Sequence, residues 1–142
     1  MITVNRMTDY AALVMTHFAL QPERSRTALE LGGEVPLPSA TLRKLLRILT
    51  AQGLLVSQRG RHGGFRLARP PSEINLAQVM EAMDGPLTLT ACSHHGGSCS
   101  FIGLCAPREH WLRIGQGIRT LLESTSLAQL AGTTLEAREI LT

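Results

Sequence analysis

Cys92, Cys99 and Cys105 are the only cysteines of a 142-residue chain, and they fall within fourteen residues of one another. Three thiols cannot all pair, and their clustering points to metal or redox chemistry rather than to a structural disulfide. The pattern Cys92-x6-Cys99-x5-Cys105 lacks the close C-x2-C knuckle by which zinc sites usually orient two thiolates on one ion. Wider gaps suit a larger object gripped from several sides, as an iron–sulfur cluster is. A zinc site completed by a histidine and a metal-free thiol switch stay open on spacing alone. Three thiolates leave one position to fill; His94, His95 and His110 lie near in sequence, and Asp9 is a distant candidate.

The second chemistry is charge. The net charge of +3 conceals ten basic and four acidic residues in 1–71, against four basic and seven acidic in 72–142. From Arg43 to Arg69 there are seven basic side chains and no acidic one. Such a block is the electrostatic footprint of a polyanion partner, and the bland alternative is a solvated basic face. Which of the two applies depends on the elements that carry the charges.

Apolar residues at Val4, Met7, Ala11, Val14 and Phe18 predict a helix from about Thr3 to Leu20, with Asp9 about 200° around from Ala11 and facing off the stripe. Gln21-Pro22 ends it. A short helix over Thr27–Leu31 follows, with Thr27 as a cap and Gly32-Gly33 as its stop. After a Pro36–Ser39 turn, Ser39 caps a helix over Ala40–Gln52 that ends at Gly53. Its apolar stripe is Leu42, Leu45, Leu46 and Leu49; Arg43, Lys44 and Arg47 project from other faces. Leu54–Gln58 and Phe65–Ala68 read as two strands around the glycine-rich tip Arg59-Gly60-Arg61-His62-Gly63-Gly64. Two helices joined by a turn, then a basic hairpin, is the order of a winged helix-turn-helix.

That frame gives the charges a task. Arg43, Lys44 and Arg47 become donors on a recognition helix, with Ser39 and Thr41 at its N-terminal end short enough to reach a base edge or a phosphate. Arg59, Arg61 and His62 at the wing tip could enter a neighbouring minor groove. A winged helix used only for protein contacts would leave seven bases without a counter-charge, so the expected partner is double-stranded DNA.

Ser72 or Asn75 caps a further helix with a stripe of Leu76, Val79, Met80 and Met83, stopped at Asp84-Gly85-Pro86. The stretch from Ala91 to Ala106 has no sustained period and reads as a loop. Pro107 suits a first helical turn, and Trp111, Ile114, Ile118 and Leu121 follow at spacings of three and four. Gly115 and Gly117 permit close approach, so this helix is expected to pack against a copy of itself. The architecture is mainly α: a winged helix-turn-helix with a two-stranded wing over 1–71, and a cluster-binding loop with a long C-terminal dimerisation helix over 72–142.

Thr8-Asp9-Tyr10-Ala11, Gly53-Leu54-Leu55, the wing run Arg59-Gly60-x-x-Gly63-Gly64-Phe65-Arg66-Leu67, the cysteine triplet, Trp111 and Ser126–Leu130 together resemble the Rrf2 family of bacterial regulators. The likeness covers nearly the whole chain. Asp84-Gly85-Pro86-Leu87-x-Leu89-Thr90 and Gly103-Leu104-Cys105-x-Pro107 resemble the branch that regulates the Suf iron–sulfur assembly operon. The resemblance implies a winged-helix homodimer crossed through its long helix, with Cys92, Cys99 and Cys105 holding one cluster per subunit, of 2Fe–2S or 4Fe–4S type. IscR-like members carry a histidine ligand three residues past the third cysteine; here that residue is Arg108. NsrR-like members use an aspartate on the first helix, reaching across from the partner subunit, and Asp9 stands there. Some relatives carry an operator-reading acid where this chain has Arg43, so no operator sequence transfers.

The resulting expectation is a cluster-dependent repressor of Suf genes, with a cluster-free thiol or zinc sensor as the alternative. An electron carrier would leave the basic helix and wing without a role. With no nucleotide fingerprint and no catalytic triad, neither an enzyme nor a small-molecule substrate is expected. No apolar run approaches the roughly 20 residues that span a bilayer, and Met1–Tyr10 lacks the basic and apolar regions of a signal peptide. The expected location is the cytoplasm, with no membrane partner.

Overall fold

The computed structural model describes residues 3–90, 99–101 and 103–140, with side chains to residue 135. The first helix, α1, spans Arg6–Leu20 and begins one turn later than its apolar stripe suggests. Asn5 sets that start, since its side chain accepts from the Met7 amide at 2.8 Å and satisfies one of the free donors of the first turn. Val4 therefore lies outside the helix and is exposed, while Ala11, Val14, Met15 and Phe18 are buried.

Helix α2, Ala28–Glu34, corrects an expectation. Thr27 caps it as anticipated, in a reciprocal box with Glu30: Thr27 Oγ1 accepts from the Glu30 amide at 3.2 Å, and the Glu30 carboxylate accepts from the Thr27 amide at 2.7 Å. Gly32-Gly33 does not stop it, for neither glycine takes a positive φ and the helix runs through both. Pro36 is the stop, because proline pushes the residue before it out of helical space, and Val35 is extended at φ −121°, ψ 136°.

Helix α3 spans Ser39–Ala51. Ser39 is its first residue rather than its cap; Pro38 holds the cap position and makes no side-chain hydrogen bond. Leu42, Leu45, Leu46 and Leu49 are all buried as the stripe requires, each contributing about 1.5–3 kcal/mol of burial. The helix ends in a Schellman turn: the Leu54 amide reaches the Leu49 carbonyl and the Gly53 amide the Thr50 carbonyl, both at 3.0 Å. That turn needs Gly53 at φ +75°.

Strands β1 (Leu55–Gln58) and β2 (Gly64–Leu67) pair antiparallel, with Leu55 opposite Leu67 and Gln58 opposite Gly64. Leu55 and Leu67 turn into the core, whereas Val56 and Arg66 face outward. An isolated bridge adds Arg26 to Phe65, so the wing also touches the α1–α2 connection.

A 3-10 turn at Pro71–Glu73 leads into α4, Leu76–Asp84. Asn75, not Ser72, is the cap, again in a reciprocal box with Gln78. Of the expected stripe only Val79 is fully buried; the inner side is Ile74, Ala77 and Val79. Asp84, at the end of α4, accepts from Asn5 Nδ2 at 3.0 Å and from the buried Thr8 Oγ1 at 2.5 Å, which fixes α4 to the start of α1.

Helix α5 runs Arg108–Ser124 with Pro107 at the cap position, one residue earlier than expected for it. None of its side chains is fully buried. A helix not separated in the sequence reading, α6, follows at Leu127–Ile140. It packs on α1, and Leu127 and Ala131 join the same core as Val14, Leu46 and Val79. The long helix is thus followed by one that returns to the first half of the chain, and a single core draws on both halves.

Candidate nucleic-acid interface and cysteine loop

The leucine stripe of α3 fixes which way its bases point. With Leu42, Leu45, Leu46 and Leu49 inward, Arg43, Lys44 and Arg47 are left exposed on the opposite side. Ser39 is exposed at the helix start and Thr41 is half-buried. Arg43 folds back over the first turn, donating from Nε to the Ser39 carbonyl and from Nη2 to Ser39 Oγ, both at 3.4 Å. Contacts at the long end of the hydrogen-bond range are readily exchanged for a phosphate or a base.

At the wing tip Arg59, Arg61 and His62 are all exposed. The Gly63 amide closes the tip on the Gly60 carbonyl at 3.0 Å. A Cβ at Gly63 would fall against the Gln58 carbonyl oxygen, so the tip can turn this tightly only with glycine there. A shallow groove of about 410 Å³ separates α3 from the wing, with Arg43 and Arg47 on one wall and Ser57 and Phe65 on the other.

Not every base of the first half belongs to this face. Arg26 is 2% exposed, and Arg24 pairs with Glu34 at 3.0 Å. Arg69 turns back to donate to the Glu73 carbonyl at 3.1 Å. The buried Arg26 was not legible as such: no periodicity marks it, although Thr27-x-x-Glu30 does carry the capping-box signature.

Cys92, His94 and His95 lie outside the described residues. Cys99 and Cys105 are both unpaired thiols and both half-buried. The chain turns between them, with the Leu104 amide on the Phe101 carbonyl at 2.9 Å, and the Cys105 carbonyl accepts from the Arg108 amide at 3.2 Å. Arg108, three residues past Cys105 in the sequence, has its Nε buried without a hydrogen-bond partner. His110 is exposed on the first turn of α5, and Asp9 is exposed on the first turn of α1, off its buried stripe. Among the described residues no three metal-binding side chains converge. The donors nonetheless suit a thiolate-held cluster, an anionic group for which a buried, unpartnered guanidinium N–H is a fitting neighbour.

α5 presents its apolar side to the outside. Trp111, Ile114 and Leu121 are 44%, 48% and 69% exposed. Midway along this helix, Gly115 lets Leu89 approach to 3.8 Å of where a Cβ would stand. Among the described residues no helix is long and apolar enough to cross a membrane.

A helix-turn-helix with exposed bases, a glycine-built wing and a helical body define a winged-helix DNA-binding regulator. Residues 4–133 match the Rrf2 family, described as iron-dependent transcriptional regulators, and the chain belongs to that family. A helix-turn-helix-type transcriptional regulator of Mycobacterium tuberculosis is 34% identical over 125 residues, 87% of this chain and 78% of that one. The regulator NsrR of Oceanobacillus iheyensis is 31% identical over 96 residues, 67% of this chain and 65% of its own. Among solved structures, CymR, the global cysteine regulator of B. subtilis, superposes with a TM-score of 0.76 at 24% identity, covering 94% of this chain and 98% of that one. IscR of T. potens superposes with a TM-score of 0.74 at 22% identity, covering 96% and 90%. The chain is an Rrf2-family transcription regulator, and its relatives are regulators rather than enzymes.

Proposed function

We propose that this regulator is a homodimeric repressor of Suf iron–sulfur assembly genes whose operator affinity depends on a cluster held by Cys92, Cys99 and Cys105. The observation that carries this reading is the pair of unpaired, half-buried thiols, with an unpartnered Arg108 Nε three residues past Cys105 in the sequence, in a family described as iron-dependent. When bound, the cluster would supply a redox- and oxygen-sensitive group.

The remaining roles belong to the chain's own side chains. Arg43, Lys44 and Arg47, with Ser39 and Thr41, meet the major groove; Arg59, Arg61 and His62 meet the flanking minor groove. Residues 1–71 carry the DNA contacts, and 72–142 carry the cysteine loop and the dimer helix, over the core they share. Trp111, Ile114 and Leu121 of α5 meet their counterparts across a two-fold axis. Asp9 reaches the partner's cysteines as the fourth ligand; its carboxylate is harder and more exchangeable than a thiolate, which makes it the weak link. Asp84 holds α4 to Asn5 and Thr8 at the turn that carries Asp9. A rearrangement of the cysteine loop therefore bears on α1, against which α3 packs. Occupancy alters DNA affinity only as far as it favours one of these arrangements over the other.

Anaerobic purification with iron, sulfide and absorption measurements tests the reading. The expected result is stoichiometric iron and sulfide, lost in Cys92→Ala, Cys99→Ala and Cys105→Ala alike, together with a change in promoter affinity. Asp9→Ala should assemble a more labile cluster with an altered spectrum while dimerisation persists. A mixed dimer of Asp9→Ala and Cys92→Ala subunits should hold one site of wild-type character, since the intact cysteines receive their aspartate from the other chain. If Asp9→Ala changes neither spectrum nor lifetime, Asp9 is a surface acid.

The likeness to CymR, a global cysteine regulator, favours a second reading, in which the same thiols act as a zinc or thiol switch without a cluster. Protein with zinc or no metal, no sulfide, and thiol-dependent DNA binding would select it.

A further inference from the structure

One buried charge plays no part in the contacts above. Arg26 is among the least exposed large side chains of the protein, and it precedes α2 in the connection from α1. Its guanidinium donates from Nε to Glu34 Oε2 at 2.8 Å and from Nη2 to Gln21 Oε1 at 3.0 Å, and it lies 5.8 Å from the centre of the Phe18 ring. Glu34 also takes Arg24 at 3.0 Å and His17 Nε2 at 2.6 Å. One carboxylate thus gathers side chains from α1 and from the α1–α2 connection at the end of α2. The hydrogen bond from His17, and then the bond and charge of Arg26, hold the Glu34 carboxyl below the usual carboxylate range against its partial burial.

The backbone of the same Arg26 carries the wing. Its amide donates to the Phe65 carbonyl at 2.9 Å and its carbonyl accepts from the Phe65 amide at 2.8 Å. Phe65 is the second residue of β2 and follows Gly63-Gly64 of the tip. The fit is close: a Cβ on Gly64 would stand 2.7 Å from the Arg26 carbonyl carbon and oxygen. Whatever fixes Arg26 therefore fixes β2 where it leaves the wing tip. A partly buried ion pair is weak as a source of stability, since an apolar pair of like volume often does as well; what it can impose is one geometry, because the buried Arg26 guanidinium must keep the acceptors it has.

We propose that Glu34 is a positioning residue for DNA binding: by clamping the buried Arg26 guanidinium it sets where the wing presents Arg59, Arg61 and His62. This rests on the reading that the wing tip touches DNA. The effect expected of the clamp is on the flanking contacts rather than on the bases of α3.

The test is a double-mutant cycle on operator binding between E34Q and R61A, read with the salt dependence of affinity and hydroxyl-radical protection of the operator. E34Q is expected to speed exchange of the Phe65 amide at least about tenfold, without changing exchange in α3. It should erase protection of the flanking minor groove and lower the salt slope by about two, one for each of Arg59 and Arg61. R61A should cost affinity in the wild type and nothing further in E34Q. If R61A weakens both backgrounds equally, or if E34Q lowers the melting temperature while the flanks stay protected, Glu34 is a plain structural ion pair. If R61A leaves wild-type affinity and slope untouched, the wing does not touch DNA and the clamp has nothing to position. Should E34Q fail to fold, the apolar pair R26M/E34M carries the same cycle.

Discussion

Gly64→Ala isolates the docking of the wing on the helical body. Gly64 holds φ at +129°, and a Cβ there would meet Arg26 C and O at 2.7 Å and Thr27 N at 2.9 Å. The positive φ alone costs a non-glycine residue about 1–3 kcal/mol, and forcing an atom against backbone that cannot rotate away costs about 1–3 kcal/mol more. Two other glycines separate these contributions. Gly53 has φ +75° and open space around it, so Gly53→Ala should pay only the backbone part, about 1–2 kcal/mol. Gly33 lies within α2 with no positive φ and nothing within 4 Å, so Gly33→Ala should stabilise by about 0.5–1 kcal/mol. Urea unfolding at one fixed protein concentration should therefore rank Gly33→Ala above the wild type, then Gly53→Ala, then Gly64→Ala. If the wing yields instead of straining, the stability loss shrinks and operator affinity falls in its place. A Gly64→Ala protein as stable as Gly53→Ala and binding its operator like the wild type would refute the argument.

Replacing Arg43, Lys44 or Arg47 by Ala should weaken operator binding with little change in melting temperature, because all three are exposed. A lost base contact costs about 1–3 kcal/mol and relaxes specificity at one position, while a lost phosphate contact lowers the salt slope by about one; titrations at several salt concentrations distinguish them. Trp111→Ala and Ile114→Ala should each weaken dimerisation about 30-fold, the effect of losing a central apolar anchor, as read by sedimentation across concentration. Because Glu34 has a lowered folded pKa, its stabilisation is fully present above the unfolded carboxylate value of about 4.3 and is lost as pH falls through the lower folded value. The stability gap between wild type and E34Q should stay constant from pH 7 to about 5 and close toward pH 3.

What the sequence determined by itself is what local physics encodes. The leucine period of α3, the Thr27 cap and the glycines around the wing tip depend on residues a few positions apart, and each was found where its signal stood. With them came the exposed basic face, since an inward stripe leaves Arg43, Lys44 and Arg47 no other direction. The cysteine spacing likewise raised the expectation of metal or redox chemistry before any fold was considered. Local signals also misled where a neighbour overrode them: Gly32-Gly33 looked like a stop, yet glycine only permits a turn, and Pro36 enforces one. What tertiary structure decided are the relations between distant segments. Arg26 was one of ten bases in a count until Glu34, Gln21 and the wing strand closed over it, because a charge is buried only where partners from elsewhere in the chain meet it. Asp84 looked like the end of a helix, and folding made it the tie to Asn5 and Thr8, more than seventy residues earlier. The return of α6 onto α1 has no sequence period to announce it; Leu127 and Ala131 are core residues only because α1 leaves an apolar face for them to cover.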